Sequence, residues 1–141
     1  MRHALLFPAA AQALLTLAVL IYLAPVRARS MRQARQQLDD EEVRIGRNRW
    51  SQEAQKVSNN YRNQFELPVL FYAVIAYAMI LGQGDALMVG LAWAFVASRI
   101  VHAAIHIGPN VIAWRAPAFL AGAVALSAMW VVLVWRMATG G

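Results

Sequence analysis

Hydropathy is the strongest constraint on this chain: four stretches are apolar over lengths that cross a bilayer, and few charges fall inside them. The first, Ala4 to Val26, is interrupted only by Gln12 and Thr16. At about 1.5 Å per helical residue it spans the roughly 30 Å of hydrocarbon. Asn63 to Leu81 and Ala86 to Ile107 follow, separated by Gly82-Gln83-Gly84-Asp85, whose glycines stop one helix while the Asp caps the next. The fourth, Ala116 to Trp135, has Trp114 and Trp135 near its ends, where indoles favour the headgroup level. A cleaved signal peptide is the competing reading of the first stretch, because Arg2 precedes it, but the apolar run exceeds the usual signal core of about 7–15 residues. The expectation is an all-α integral membrane four-helix bundle that forms one domain over residues 1–141. With 60% hydrophobic and 14% charged residues, the chain is far from the roughly one-quarter charged composition of soluble domains.

The basic residues set the orientation. Arg27, Arg29, Arg32, Arg35, Arg44, Arg47, Arg49, Lys56 and Arg62 all lie between the first and second spans, and the turn between the second and third has none. The 27–62 loop is therefore expected on the cytoplasmic side, with Arg115 on the same face. Asp39-Asp40-Glu41-Glu42 makes this loop a mixed-charge segment with short helical pieces at its ends. That acid cluster, with Trp50 and Tyr61 as its only aromatics, argues against nucleic acid as a partner. The absence of Cys excludes disulfides, thiolate metal sites and a protein thiol nucleophile, so any sulfur chemistry must use a cosubstrate's sulfur.

Charges inside a span are costly unless paired or hydrated, which makes each a candidate for function. Asn59, Arg62, Asn63 and Glu66 recur at three- and four-residue spacing where the second span begins, and Arg99, His102 and His106 do so in the third. Two polar stripes facing a common cavity are expected, with a direct Arg99–Glu66 ion pair as one arrangement. A buried network that only holds helices in register is the alternative. Arg27, Arg62, Arg99 and Arg115 outnumber Glu66, however, and an uncompensated cationic cluster suits an anion. A small molecule with two carboxylates and an amine would be complementary: the arginines take its carboxylates and Glu66 its ammonium. His102 and His106, four apart, could share a metal, but no third ligand beyond Glu66 is evident, and neither a metal nor haem is expected.

These residues together resemble the membrane-associated proteins in eicosanoid and glutathione metabolism (MAPEG), the family of microsomal glutathione transferases, leukotriene C4 synthase and microsomal prostaglandin E synthase. The resemblance is carried by Arg62-Asn63-x-x-Glu66, by Arg99-x-x-His102, by Arg115 after that, and by Arg27 in Val26-Arg27-Ala28-Arg29. It implies a homotrimer with sites between subunits, glutathione as cosubstrate, and a lipophilic acceptor entering from membrane lipid between the first and fourth spans. It further implies that Arg27, Arg62, Asn63, Glu66, Arg99, His102 and His106 cradle glutathione while Arg115, as the catalytic residue, lowers the thiol pKa. A guanidinium close to sulfur favours the thiolate, the attacking form.

The departures narrow the activity. His106 stands where several relatives have tyrosine, Ala116 where a prostaglandin synthase has serine, Phe119 where a tyrosine hydroxyl occurs, and Asn59 where relatives often have arginine. These differences argue against the prostaglandin isomerase and for a glutathione-dependent transferase or peroxidase acting on hydrophobic electrophiles. The rival is a non-catalytic member that binds lipid or serves a larger membrane complex, as the five-lipoxygenase-activating protein does in this family. Short loops suit a bacterial inner membrane. Gly90, Ala94 and Ser98, with Ala118 and Gly122, are small residues at four-residue spacing that permit close helix contact between subunits or within one.

Overall fold

The computed structural model describes residues 2–35 and 50–140, and all regular structure among them is helical. A 3-10 turn, Arg2–Leu5, leads into α1 (Leu6–Arg35); α2 (Gln52–Asn63), α3 (Leu67–Ile80), α4 (Ala86–Ile107) and α5 (Ile112–Thr139) follow. Four segments, His3–Ala34, Gln52–Ile80, Ala86–Ile107 and Ile112–Thr139, are long and apolar enough to cross a membrane. The protein is an all-α integral membrane bundle. Asp39, Asp40, Glu41, Glu42, Arg44, Arg47 and Arg49 lie outside the described residues.

Two helices run further towards the 27–62 loop than hydropathy suggests. α1 continues past Pro25 to Arg35, and the second crossing begins at Gln52, where Ser51 accepts a hydrogen bond from the Ala54 N–H at 3.2 Å. Ser30 on α1 in turn accepts from the Ser51 N–H at 2.7 Å, tying the two loop ends together. The second crossing is also not one helix. Pro68 lacks an N–H, and in a continuous helix its ring would meet the carbonyl of Gln64. The chain instead closes α2 with tight turns, Gln64 N–H to Tyr61 O at 3.0 Å and Phe65 N–H to Arg62 O at 2.9 Å, and restarts at Leu67.

The interior is layered along the bundle axis. At the end bearing the α3–α4 turn, an apolar core joins Leu5, Phe71, Val74, Met88, Phe95, Met129 and their neighbours, with Phe71 and Phe95 stacked at 4.3 Å. At the opposite end Leu23, Val26, Ala54 and Val57 form a smaller cluster. Between them lie buried Gln12, Asn60, Gln64, Arg99, His102 and His106. The exterior is apolar, with Phe7, Ile21, Ile80, Leu120 and Trp135 pointing outward, as expected where lipid is the solvent.

The most extensive helix contact is between α4 and α5. Gly122 makes it possible: a Cβ there would overlap the Ser98 Oγ and stand 3.7 Å from Arg99 Cδ. A Cβ on Gly90, by contrast, would meet nothing within 4 Å. Of the small residues at four-residue spacing, Ser98 and Gly122 thus serve packing inside the protomer, and Gly90 faces outward.

Asp85 fixes the other end of this pair. Its Oδ1 caps α4 by accepting from the Met88 N–H at 2.9 Å, and its Oδ2 pairs with Arg136 Nη2 at 2.6 Å. The bond from Arg136, then that from the Met88 N–H, hold the Asp85 carboxyl below the usual carboxylate range. A carboxylate whose pKa is depressed by folding contributes stability above its unfolded pKa of about 3.9, and loses it as pH falls through the folded value. Because the pair is partly open to solvent, the contribution is small, under about 1 kcal/mol. The unfolding midpoint of the protein in detergent is therefore expected to drop slightly more than that of Asp85→Asn as pH falls from 5 to 3. Parallel curves for the two proteins would show that the pair contributes nothing.

Candidate functional site

The polar layer is assembled by three local features of the chain. The break after Asn63 leaves that residue's carbonyl beyond the tight turns that satisfy Tyr61 and Arg62. Arg99, fully buried on α4, takes up that of Asn63, donating from Nη2 at 3.0 Å, while its guanidinium lies 5.7 Å from the Phe119 ring centre. No Arg99–Glu66 ion pair forms among the described residues. The Arg99 Nε and Nη1 have no hydrogen-bond partner within the protomer.

The second feature is the His102–His106 pair, one helical turn apart, with rings 5.5 Å apart and edge to face. His102 Nδ1 lies 3.3 Å from the Arg115 carbonyl. A carbonyl only accepts, so the proton is assigned to Nδ1 and Nε2 carries a bare lone pair. His102 Nε2, His106 Nδ1 and Asn63 Oδ1 are buried without a partner, and such groups call for a ligand or ordered water. Among the described residues, no three of His, Asp and Glu come together to hold a metal ion.

The third is the connection from α4 to α5. α4 ends as Gly108 N–H bonds to Ala104 O at 3.0 Å and Asn110 N–H to Ile105 O at 2.8 Å, and Asn110 takes a left-handed backbone with φ 53°. α5 starts at Ile112, placing Arg115 in its first turns, where the unpaired N–H groups of a helix start add positive potential.

Among the described residues, three hollows open around these groups. A cavity of about 530 Å³ has Asn63, Glu66, His102 and Arg115 on its polar wall and Ile112, Ala116, Phe119 and Leu120, all from α5, on its apolar wall. A neighbouring one of about 290 Å³ is bounded by Asn59, Arg62, Asn63, Glu66, His106 and Arg115. A third, of about 230 Å³, lies beyond Asn59 and Arg62 and contains Arg27, whose Nε donates to Ser58 Oγ at 3.2 Å and whose guanidinium sits 5.0 Å from the Trp50 ring centre. Arg62, Asn63, Glu66, His102, His106 and Arg115 thus line two contiguous cavities, Arg27 occupies an annex, and Arg99 lines none of the three, supporting Asn63 from behind. Glu66 occupies the cap position of α3 without a side-chain cap bond, so its carboxylate is available to the cavities. Within the protomer the large cavity opens along α5 and the α2–α3 junction.

Spacing alone missed several contributors. Gln12 donates from Nε2 to Gln64 Oε1 at 2.9 Å inside the bundle, and Asn60 is buried one turn before Gln64. The lone amide of the first span was the available signal for Gln12. Asn110, whose Oδ1 accepts from Arg115 Nη1 at 2.5 Å, carries no sequence signal beyond being Asn in a helix connection.

Fold and site together define a membrane-embedded helical bundle with a cation-rich polar pocket beside an apolar-walled one. The chain belongs to the MAPEG family, whose family model matches residues 5–135. That family includes glutathione transferases as well as non-catalytic members. Neither a curated protein nor a solved structure matched the chain.

Proposed function

We propose that the protein is a glutathione-dependent transferase or peroxidase acting on hydrophobic electrophiles within the membrane. One observation carries this reading: Arg115 borders both the polar cavity and the apolar-walled one, so a charged peptide thiol and a lipophilic acceptor would meet at its guanidinium. The volumes suit this use, since small-molecule sites run to roughly 300–1,000 Å³. The partnerless acceptors His102 Nε2 and Asn63 Oδ1 suit the amide N–H groups and ammonium of a tripeptide, and the arginines its carboxylates.

Arg62 takes a ligand carboxylate, Glu66 its ammonium, and Arg115 favours the thiolate that attacks the acceptor. Arg27 adds a cation in the annex, and Arg99 holds the Asn63 backbone in place. The apolar α5 wall of Ile112, Ala116, Phe119 and Leu120 receives the acceptor from lipid. In this reading the protein is a homotrimer in a bacterial inner membrane, with the 27–62 loop in the cytoplasm. Calorimetric titration of the detergent-solubilised protein with glutathione is the test. Wild type is expected to bind, and Glu66→Gln to bind about tenfold more weakly through loss of the ammonium partner. Identical titrations would remove Glu66 from the site, and no heat from wild type would reject the reading.

The second reading is a non-catalytic member that binds lipid or serves a larger complex, for which the apolar α5 wall of Ile112, Ala116, Phe119 and Leu120 would receive a lipid chain instead of an acceptor. Absence of thiolate absorbance on adding glutathione, with stoichiometric co-purifying partners, would decide for it.

A further inference from the structure

The geometry points to Asn110 as a positioning residue that fixes the Arg115 guanidinium where it faces both cavities. Its effect on sulfur rests on the glutathione reading, but the positioning itself does not. An arginine side chain in the first turns of a helix leans back past the helix start, and without a partner its long stem keeps its rotamer freedom. Here the partner is supplied five residues upstream. Asn110 Oδ1 accepts from Arg115 Nη1, leaving the other guanidinium donors for the cavities. The Arg115 carbonyl is held separately by His102 Nδ1, so both ends of the residue are tied.

The acceptor is placed by the turn. Asn110 takes φ 53° and donates its N–H to the Ile105 carbonyl, ending α4. Asn is among the few residues that occupy the left-handed region readily. Its amide oxygen, unlike a carboxylate, holds the guanidinium without neutralising it. A carboxylate at this position would pair with Arg115 and spend the positive charge that a thiolate needs.

Two variants keep the turn. Asn110→Gly tolerates the positive φ and removes only the tie, whereas Asn110→Asp keeps the tie and adds a charge. The first measurement needs no thiol: the rate at which phenylglyoxal modifies Arg115, followed by peptide mass mapping of the full-length protein in detergent. Asn110→Gly is expected to react about threefold to tenfold faster than wild type, because the guanidinium loses a charge-assisted bond. Equal rates would overturn the proposal.

The second follows the ultraviolet absorbance of bound glutathione thiolate against pH. Its titration midpoint is expected to rise by about half a unit to one unit in Asn110→Gly, and further in Asn110→Asp. In an Arg115→Ala background Asn110→Gly should add no shift, and an equal shift there would overturn the proposal by showing that Asn110 acts on the fold rather than through Arg115. If wild type forms no thiolate, the glutathione reading fails, and the modification rates still decide the role of Asn110.

Discussion

Replacing Arg115 with alanine is expected to raise the pKa of a thiol bound beside it by about 1–2 units, the lower part of the range for a single opposite charge within a few ångströms. The lower part applies because Arg115 is only half-buried and water screens it. Each unit lowers the thiolate fraction about tenfold at a pH below the thiol's own value. A thiol left near its free value of about 8.5 would be a few per cent ionised at pH 7. Conjugation at neutral pH should therefore fall by about 8-fold to 25-fold in Arg115→Ala and recover in part at pH 9, where the free thiol ionises unaided. Arg115→Lys should lie between, since it keeps the charge but loses the planar fork that meets Asn110 and the cavity together. The check is the thiolate absorbance titration, run beside glutathione calorimetry. An unchanged titration midpoint with binding intact would remove Arg115 from its proposed role; loss of binding would make it a carboxylate or amide contact instead.

The fold was legible because hydropathy and length fix the crossings almost unaided, and the Gly82 to Asp85 turn and its cap follow from residue chemistry. Helix continues into polar sequence at both ends of the 27–62 loop, where short helical pieces are expected from the sequence although hydropathy alone does not mark them. α1 runs through Pro25 to Arg35, and α2 begins at Gln52, because tertiary ties such as Ser30 to Ser51 stabilise helix where there is no apolar run. Pro68 signalled the interruption of the second crossing, and its consequence was missed: once the helix restarts at Leu67, Glu66 stands at a cap position rather than within a continuous stripe.

The candidate site was legible where its residues share one helix face. His102 and His106, and Asn59 with Arg62 and Asn63, stay together because three- and four-residue spacing within one helix survives any packing, whereas Glu66 reaches the same cavity across the break through the tight turns at Gln64 and Phe65. Spacing could not tell Arg99, which turns inward to the Asn63 carbonyl, from residues that line a cavity. That choice is made by the Asn63 carbonyl, which the helix break leaves open to the Arg99 guanidinium and which no spacing on α4 announces. Asn110 was invisible for a related reason, since its role depends on a backbone angle.

Gly122→Leu is expected to be the most destabilising single change. A Cβ at position 122 already overlaps the Ser98 Oγ, and Ser98 is held by its own bond to the Phe95 carbonyl at 2.6 Å. A leucine adds three more carbons to the tightest point of the α4–α5 contact, and overfilling of this kind costs about 1–3 kcal/mol or more. A drop in unfolding midpoint of several degrees follows, at about 2–4 °C per kcal/mol for a chain near this size. Gly122→Ala should cost less, because the Ser98 hydroxyl can rotate away at the loss of one hydrogen bond, and pairing it with Ser98→Ala should restore much of that loss. Strict additivity of these two changes would mean that the helices do not meet there. The larger side chain also presses on Arg99, whose Cδ lies in contact with the same spot. Gly122→Leu should therefore move Arg99 off the Asn63 carbonyl and weaken glutathione binding in the protein that remains folded, whereas Gly122→Ala with Ser98→Ala should leave binding near wild type. Equal affinities in all three proteins would show that the pocket does not depend on this helix contact.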